Sequence, residues 1–213
     1  MYPAHHYELA ISCATAYEPN GKGVWSVAEN DVLVSERENV VVLSCRGTEA
    51  GEAIHKNFSI EGLKNTRDIL KDLRFWPYKM PCGTWVHKGF GRAALVWCES
   101  YALDLVGIGK PIVLTGHSLG AAMAVQMAAI LKNMGLDILE VAVFGEPASF
   151  YFQSEKKYRS LNIPTYSYLN ENDWIRFAPP FGSTSVDRTH IKRKPGISRQ
   201  AHDIDNYAMA MVV

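Results

Sequence analysis

A serine hydroxyl becomes a nucleophile only where the backbone holds it clear of its neighbours and a base can reach it. One stretch of this sequence has the form for the first condition. In Val113–Ala124, VLTGHSLGAAMA, a β-type run from Pro111 to Thr115 meets Gly116-His117-Ser118-Leu119-Gly120 and continues into small residues suited to a helix. That is the sequence form of a nucleophile elbow, a cramped strand-to-helix turn with the Ser118 hydroxyl raised at its apex. Gly116 and Gly120 flank the serine because a Cβ at either place is expected to strike the adjoining strand or helix. The helix N-terminus would turn free N–H groups and partial positive charge toward anything bonded to Ser118, which suits an oxyanion. A five-residue pattern recurs by chance, and the strand before it and helix after it are what give it weight.

Such a serine needs a base, an orienting acid and a second oxyanion donor. Where an elbow serine works in an α/β sheet, acid and base follow it in the chain, the acid in a loop after a later strand. Asp173 fits, directly following the run Thr165–Leu169 and the polar turn 170–172. Asp187 is the credible competitor, and Asp137 is expected on the opposite side of the sheet. Among seven histidines, His55 and His87 precede the serine, His5 and His6 sit at a terminus expected to be solvated, and His117 is expected to support the turn. His202 opens AHDIDNYAMAM, an apolar run that can anchor its loop, whereas His190 lies in the charged stretch Arg188–Lys194. His202 is therefore preferred as the base that takes the Ser118 proton and later protonates the leaving alkoxide, with Asp173 orienting its ring. The Leu119 backbone N–H would supply one oxyanion contact, and Thr48, at the end of a predicted central strand, a second.

The elements that must position these groups read as alternating strands and helices. A short amphipathic helix is expected over His5–Tyr17 and short strands over Val24–Ala28 and Val32–Ser35, joined at 29–31. Asn39–Cys45, NVVVLSC, is a continuous β-branched run of the kind covered on both faces in the middle of a sheet. A helix is expected over Ala93–Val106, separated by Gly107 and Gly109 from the elbow strand. Strands at Leu139–Phe144 and Thr165–Leu169 and a helix at Gln153–Arg159 complete the pattern. The fold class is α/β, a mostly parallel sheet flanked by helices. At 213 residues and 47% hydrophobic content the chain is expected to form a single domain. The mixed segment 49–65 reads either as an ordinary surface helix or as a mobile cover over a pocket, and Thr66–Phe75 as a packed helix or strand.

A formal net charge of zero argues against a partner chosen by bulk charge, such as nucleic acid. The N-terminus has no basic region followed by an apolar core, and no stretch approaches transmembrane length, so a cytoplasmic location is expected. Cys13, Cys45, Cys82 and Cys98 lack metal-type pairing and read as free thiols, and no cofactor or metal is expected.

CRGTEA, the Asp-Leu of KDLRF, VHKGF, GHSLGAA, FGEPASF, NENDWIRFAPP and a late histidine segment occur in the order found in class 3 lipases, the fungal-type triacylglycerol lipases. The chain resembles that family over Val40–Tyr207. The resemblance implies an α/β-hydrolase fold, Ser118, Asp173 and His202 as triad, Thr48 and Leu119 at the oxyanion hole, and a lid within 49–65. It also implies hydrolysis of carboxylic esters, chiefly acylglycerols, with phospholipids or other esters as alternatives, and transient contact with a lipid interface through the lid. A lipase-like binding protein without turnover is the reading from another class. Three features depart from the family's pattern: Glu146 replaces the usual small residue, which is expected to alter the pocket edge; the late histidine segment is less distinctive than the other motifs; and no secretory extension of the common kind is expected. Trp174, Ile175, Phe177, Pro179, Pro180 and Phe181 read equally as the wall of an acyl-binding cleft or as ordinary loop packing. Lys192, Arg193 and Lys194 read as solvated charge.

Overall fold

The computed structural model describes residues 3–18, 22–46, 76–177, 179, 181–191 and 200–212. Period-two alternation divides its apolar residues between two cores, because successive side chains of a strand point to opposite faces. In β3 (Val41–Cys45), β6 (Ile112–His117) and β7 (Ile138–Phe144), the residues Val41, Leu43, Leu114, Val141 and Val143 join one buried cluster. Val42, Val113, Ala142 and Phe144, one step out of phase, join the other. The first cluster is closed by α2 (Lys88–Ile108) and α3 (Leu119–Asn133) through Trp97, Cys98, Met127 and Leu131. The second is closed by α1 (His5–Thr15) and α5 (Ile204–Met211) through Leu9, Ala10, Tyr207 and Met211.

The seven-stranded sheet runs in the order β1 (Val24–Val27), β2 (Asn30–Glu36), β3, β6, β7, β8 (Thr165–Asn170), β9 (Arg188–Ile191). The two N-terminal pairings are antiparallel and every later one is parallel. This is the α/β architecture expected. A separate ribbon of β4 (Pro77–Lys79) and β5 (Trp85–His87) adjoins the start of α2, and α4 (Glu155–Arg159) precedes β8.

Local departures have local causes. The helix expected from Ala93 begins at Lys88, and Gly107 lies inside it; Gly109 alone ends it, at φ +68°, with its N–H bonded to the Leu105 carbonyl. The β1–β2 turn falls at Ala28-Glu29, both at positive φ, where the Asn30 amide bonds the Val27 and Ala28 carbonyls. The charged stretch expected as solvated supplies β9, an edge strand with His190 exposed and Ile191 buried. His6, expected in solvent, is fully buried against Tyr168. All four thiols are free. Thr48, His55, the expected cover at 49–65 and the segment Thr66–Phe75 lie outside the described residues.

Candidate active site

Strand β6 passes into α3 through Ser118, whose φ of +56° and ψ of −123° are strained for a residue with a side chain. The Ser118 N–H bonds the Phe144 carbonyl at 3.0 Å, and its own carbonyl accepts from Ala121 N–H at 3.0 Å. The turn is tight enough that a Cβ at Gly116 would lie 2.3 Å from the Gly120 carbonyl oxygen. Leu119 opens α3, so its N–H belongs to the first-turn donors that have no partner within the helix.

Asp173 follows β8 and is fully buried, its N–H bonded to the Asn170 carbonyl. Three donors meet its carboxylate: Ile175 N–H at 2.8 Å on Oδ1, with the Tyr207 hydroxyl at 2.5 Å and His202 Nδ1–H at 2.7 Å on Oδ2. With Nδ1 engaged as donor, His202 Nε2 is left to accept the Ser118 hydroxyl, 2.8 Å away. The three residues sought in the sequence thus form one hydrogen-bonded line, from Asp173 through His202 to Ser118.

The surroundings fix that line. His202 ends a short 3-10 turn (Gln200–His202), and its carbonyl accepts from His117 Nε2–H at 2.7 Å, so His117 supports the histidine loop as well as the elbow. The Trp174 and His202 ring centroids are 5.3 Å apart. Asp203 caps α5 by accepting from Asp205 N–H. Burial, and then the nearby Asp173 charge, push the Tyr207 phenol well above its usual range, which keeps it a donor. Beneath the line, Gly145 adopts φ +59°, and a Cβ there would stand 3.2 Å from Asp173 Oδ2, His202 Cε1 and Tyr207 Oη.

Glu146 is fully buried rather than at a pocket edge; it accepts from Ser167 Oγ at 2.7 Å, Ser185 Oγ at 2.9 Å and Ser185 N–H at 2.9 Å. Its backbone carbonyl accepts from Arg188 Nη2. Asp187 is 98% exposed and paired with Arg159, Asp137 is exposed before β7, and His190 is exposed opposite Leu169. His87 is buried with its ring against Phe90. Of the proposed apolar wall, Trp174 borders His202 and Ile175 packs on Leu169, while Phe177 and Phe181 stand 77% and 98% exposed. Pro179 is buried; Pro180 and Lys192–Lys194 lie outside the described residues. Tyr207 and Gly145 were not singled out in the sequence. The only signal for Tyr207 was a phenol in an otherwise apolar run.

No curated protein sequence matches the chain. Among solved structures, it is similar to the lipase of Rhizopus microsporus var. chinensis at 19% identity and a TM-score of 0.68, over 90% of this chain and 75% of that one. The triacylglyceride lipase of Rhizomucor miehei is 20% identical with a TM-score of 0.64, over 83% and 74% of the two chains. A fungal lipase in complex with an inhibitor is 25% identical with a TM-score of 0.64, over 84% and 75%. The family model for lipase (class 3) matches residues 42–182, more than half of the chain. The order of motifs, the sheet and this match agree: the chain belongs to the class 3 lipase family of ester hydrolases.

Proposed function

We propose that the protein is an acylglycerol lipase in which Ser118, His202 and Asp173 act as the catalytic triad and the reaction passes through an acyl-enzyme. The observation that carries this reading is the unbroken hydrogen-bonded path between the three side chains, 2.7 Å and 2.8 Å at its two steps. As Ser118 Oγ attacks the ester carbonyl carbon, its proton passes to His202 Nε2, and Asp173 stabilises the resulting imidazolium. The carbonyl oxygen gains negative charge and is received by Leu119 N–H at the N-terminus of α3. Thr48 is carried over from the family motif as the second donor. Each such donor is worth about 3 kcal/mol in the transition state. The imidazolium then protonates the leaving alkoxide, and a water activated by the same ring releases the fatty acid.

Family membership and the likeness to a triacylglyceride lipase support acylglycerols as the substrate class. Contact with a lipid interface through residues 49–65 belongs to the same proposal. The test is twofold. A fluorophosphonate should label Ser118 and leave Ser118→Ala unlabelled, with ester hydrolysis in that variant reduced by on the order of 10⁶-fold. Emulsified long-chain triglyceride, a soluble short-chain ester and phospholipid vesicles are then assayed side by side. The largest kcat/KM on triglyceride is the expected result, and activity confined to the soluble ester or the vesicles would replace the acylglycerol assignment.

A further inference from the structure

We infer that His5, His6 and Glu140 form a binding site for a divalent transition-metal ion, with zinc the best match to the donor set. One ligand atom from each residue lies within 4.8 Å of the others, and among the described residues no second group of His, Cys, Asp and Glu converges in this way. His5 Nε2 is 2.6 Å from Glu140 Oε1, and His6 Nε2 is 3.5 Å from Oε2. Neighbouring side chains on a helix diverge by about 100°, so two consecutive imidazoles turned onto one carboxylate are not a by-product of helix geometry.

The site is half preformed. His6 is fully buried, its ring edge-on to Tyr166 and Tyr168 with centroids 4.7 Å and 5.6 Å away. Its Nδ1 is 2.7 Å from the Tyr168 hydroxyl, a group able to donate or accept, which fixes the ring and leaves Nε2 to face the cluster. A hydrogen bond from the second nitrogen is what orients a metal-bound histidine. The His5 side chain is 53% exposed, so an ion and its waters reach the site from that side. Two imidazoles and one carboxylate suit zinc, with the remaining position for water, whereas magnesium and calcium favour all-oxygen shells. Binding replaces the His5–Glu140 hydrogen bond by bonds of about 2.0–2.2 Å to the ion, a movement the exposed His5 can make. The ion would tie the first turn of α1 to β7 four residues before Phe144, whose carbonyl holds Ser118 N–H.

The untagged chain, freed of metal by chelation, is titrated with zinc chloride by calorimetry and thermal unfolding, alongside His5→Ala and Glu140→Gln. Neither residue belongs to the candidate active site, and ester hydrolysis before zinc is added shows that each variant is folded. One saturable equivalent with a rise in Tm is expected for the parent chain, with affinity at least about tenfold weaker in both variants. Cobalt(II) in place of zinc should give visible absorption bands in the parent that both variants lose. Equal zinc affinity in all three proteins, or no saturable binding by the parent, would overturn the assignment.

Discussion

Asp173 and Glu146 are both carboxyl groups sealed from solvent, and donors meet both oxygens of each. They differ in what lies beyond those donors. Asp173 is joined to an imidazole that itself reaches Ser118, so a change of charge on one group is felt by the next. Among the described residues, the Glu146 carboxyl is joined to two serine hydroxyls and an amide and to no imidazole, bracing β8 and the segment before β9 against the end of β7. Burial of a carboxyl is therefore a poor marker of chemistry. The next group along is the better one.

That contrast can be broken most sharply by amidating each group in turn. Asp173→Asn should lower kcat by about 10⁴-fold, since the amide favours the wrong imidazole tautomer, while Glu146→Gln should leave kcat near that of the parent. Equal losses in ester hydrolysis would erase the distinction. Tyr207→Phe comes next: it removes one charge-assisted donor from Asp173 and the acceptor of Asn170 N–H, and should cost about 1.5–3 kcal/mol in denaturant unfolding. Its kcat should fall far less than that of Asp173→Asn, because His202 keeps its partner.

A smaller effect is the pH dependence that Glu146 brings to stability. Burial is the main cause holding the Glu146 carboxyl above its ordinary value of 4.5, partly offset by its hydrogen bonds and by Arg188. A raised folded-state value means that the protonated form is the one the fold favours. Its stabilising contribution is complete below the unfolded value and is lost as pH climbs through the folded one. Glu146→Gln escapes that loss, so its Tm should match the parent near pH 4.5 and exceed it increasingly toward neutrality. A pH-independent difference would contradict the cause given. Smallest of all, His190→Ala should leave kcat/KM unchanged; inactivity there, with His202→Ala active, would move the base to β9.

The elbow was legible because its glycine is demanded by a contact only about one helical turn away in sequence, between Gly116 and Gly120. Asp173 and His202 could be found because chain order confines acid and base to the residues after the serine, where few candidates remain. The parallel sheet was legible for a related reason, since NVVVLSC is apolar at successive positions only if both faces are covered. What stayed hidden depends on partners far apart in the chain. Tyr207 meets Asp173 across 34 residues, and Glu146 meets Ser185 across 39. His6 is buried by a tyrosine 162 residues away. Strand β9, Arg-Thr-His-Ile at a sheet edge, has neither alternation nor an apolar run to announce it.

The uneven burial of the four thiols makes the chain its own reporter. Burial pushes Cys13 up to about 12 and raises Cys45 and Cys98 as well, so these three supply almost no thiolate while the protein is intact. Cys82, half-buried between β4 and β5 and hydrogen-bonded to Thr84, is the one within reach of a reagent. A maleimide dye added to native protein would thus attach at a single known position, and every further equivalent taken up would count molecules whose interior has opened.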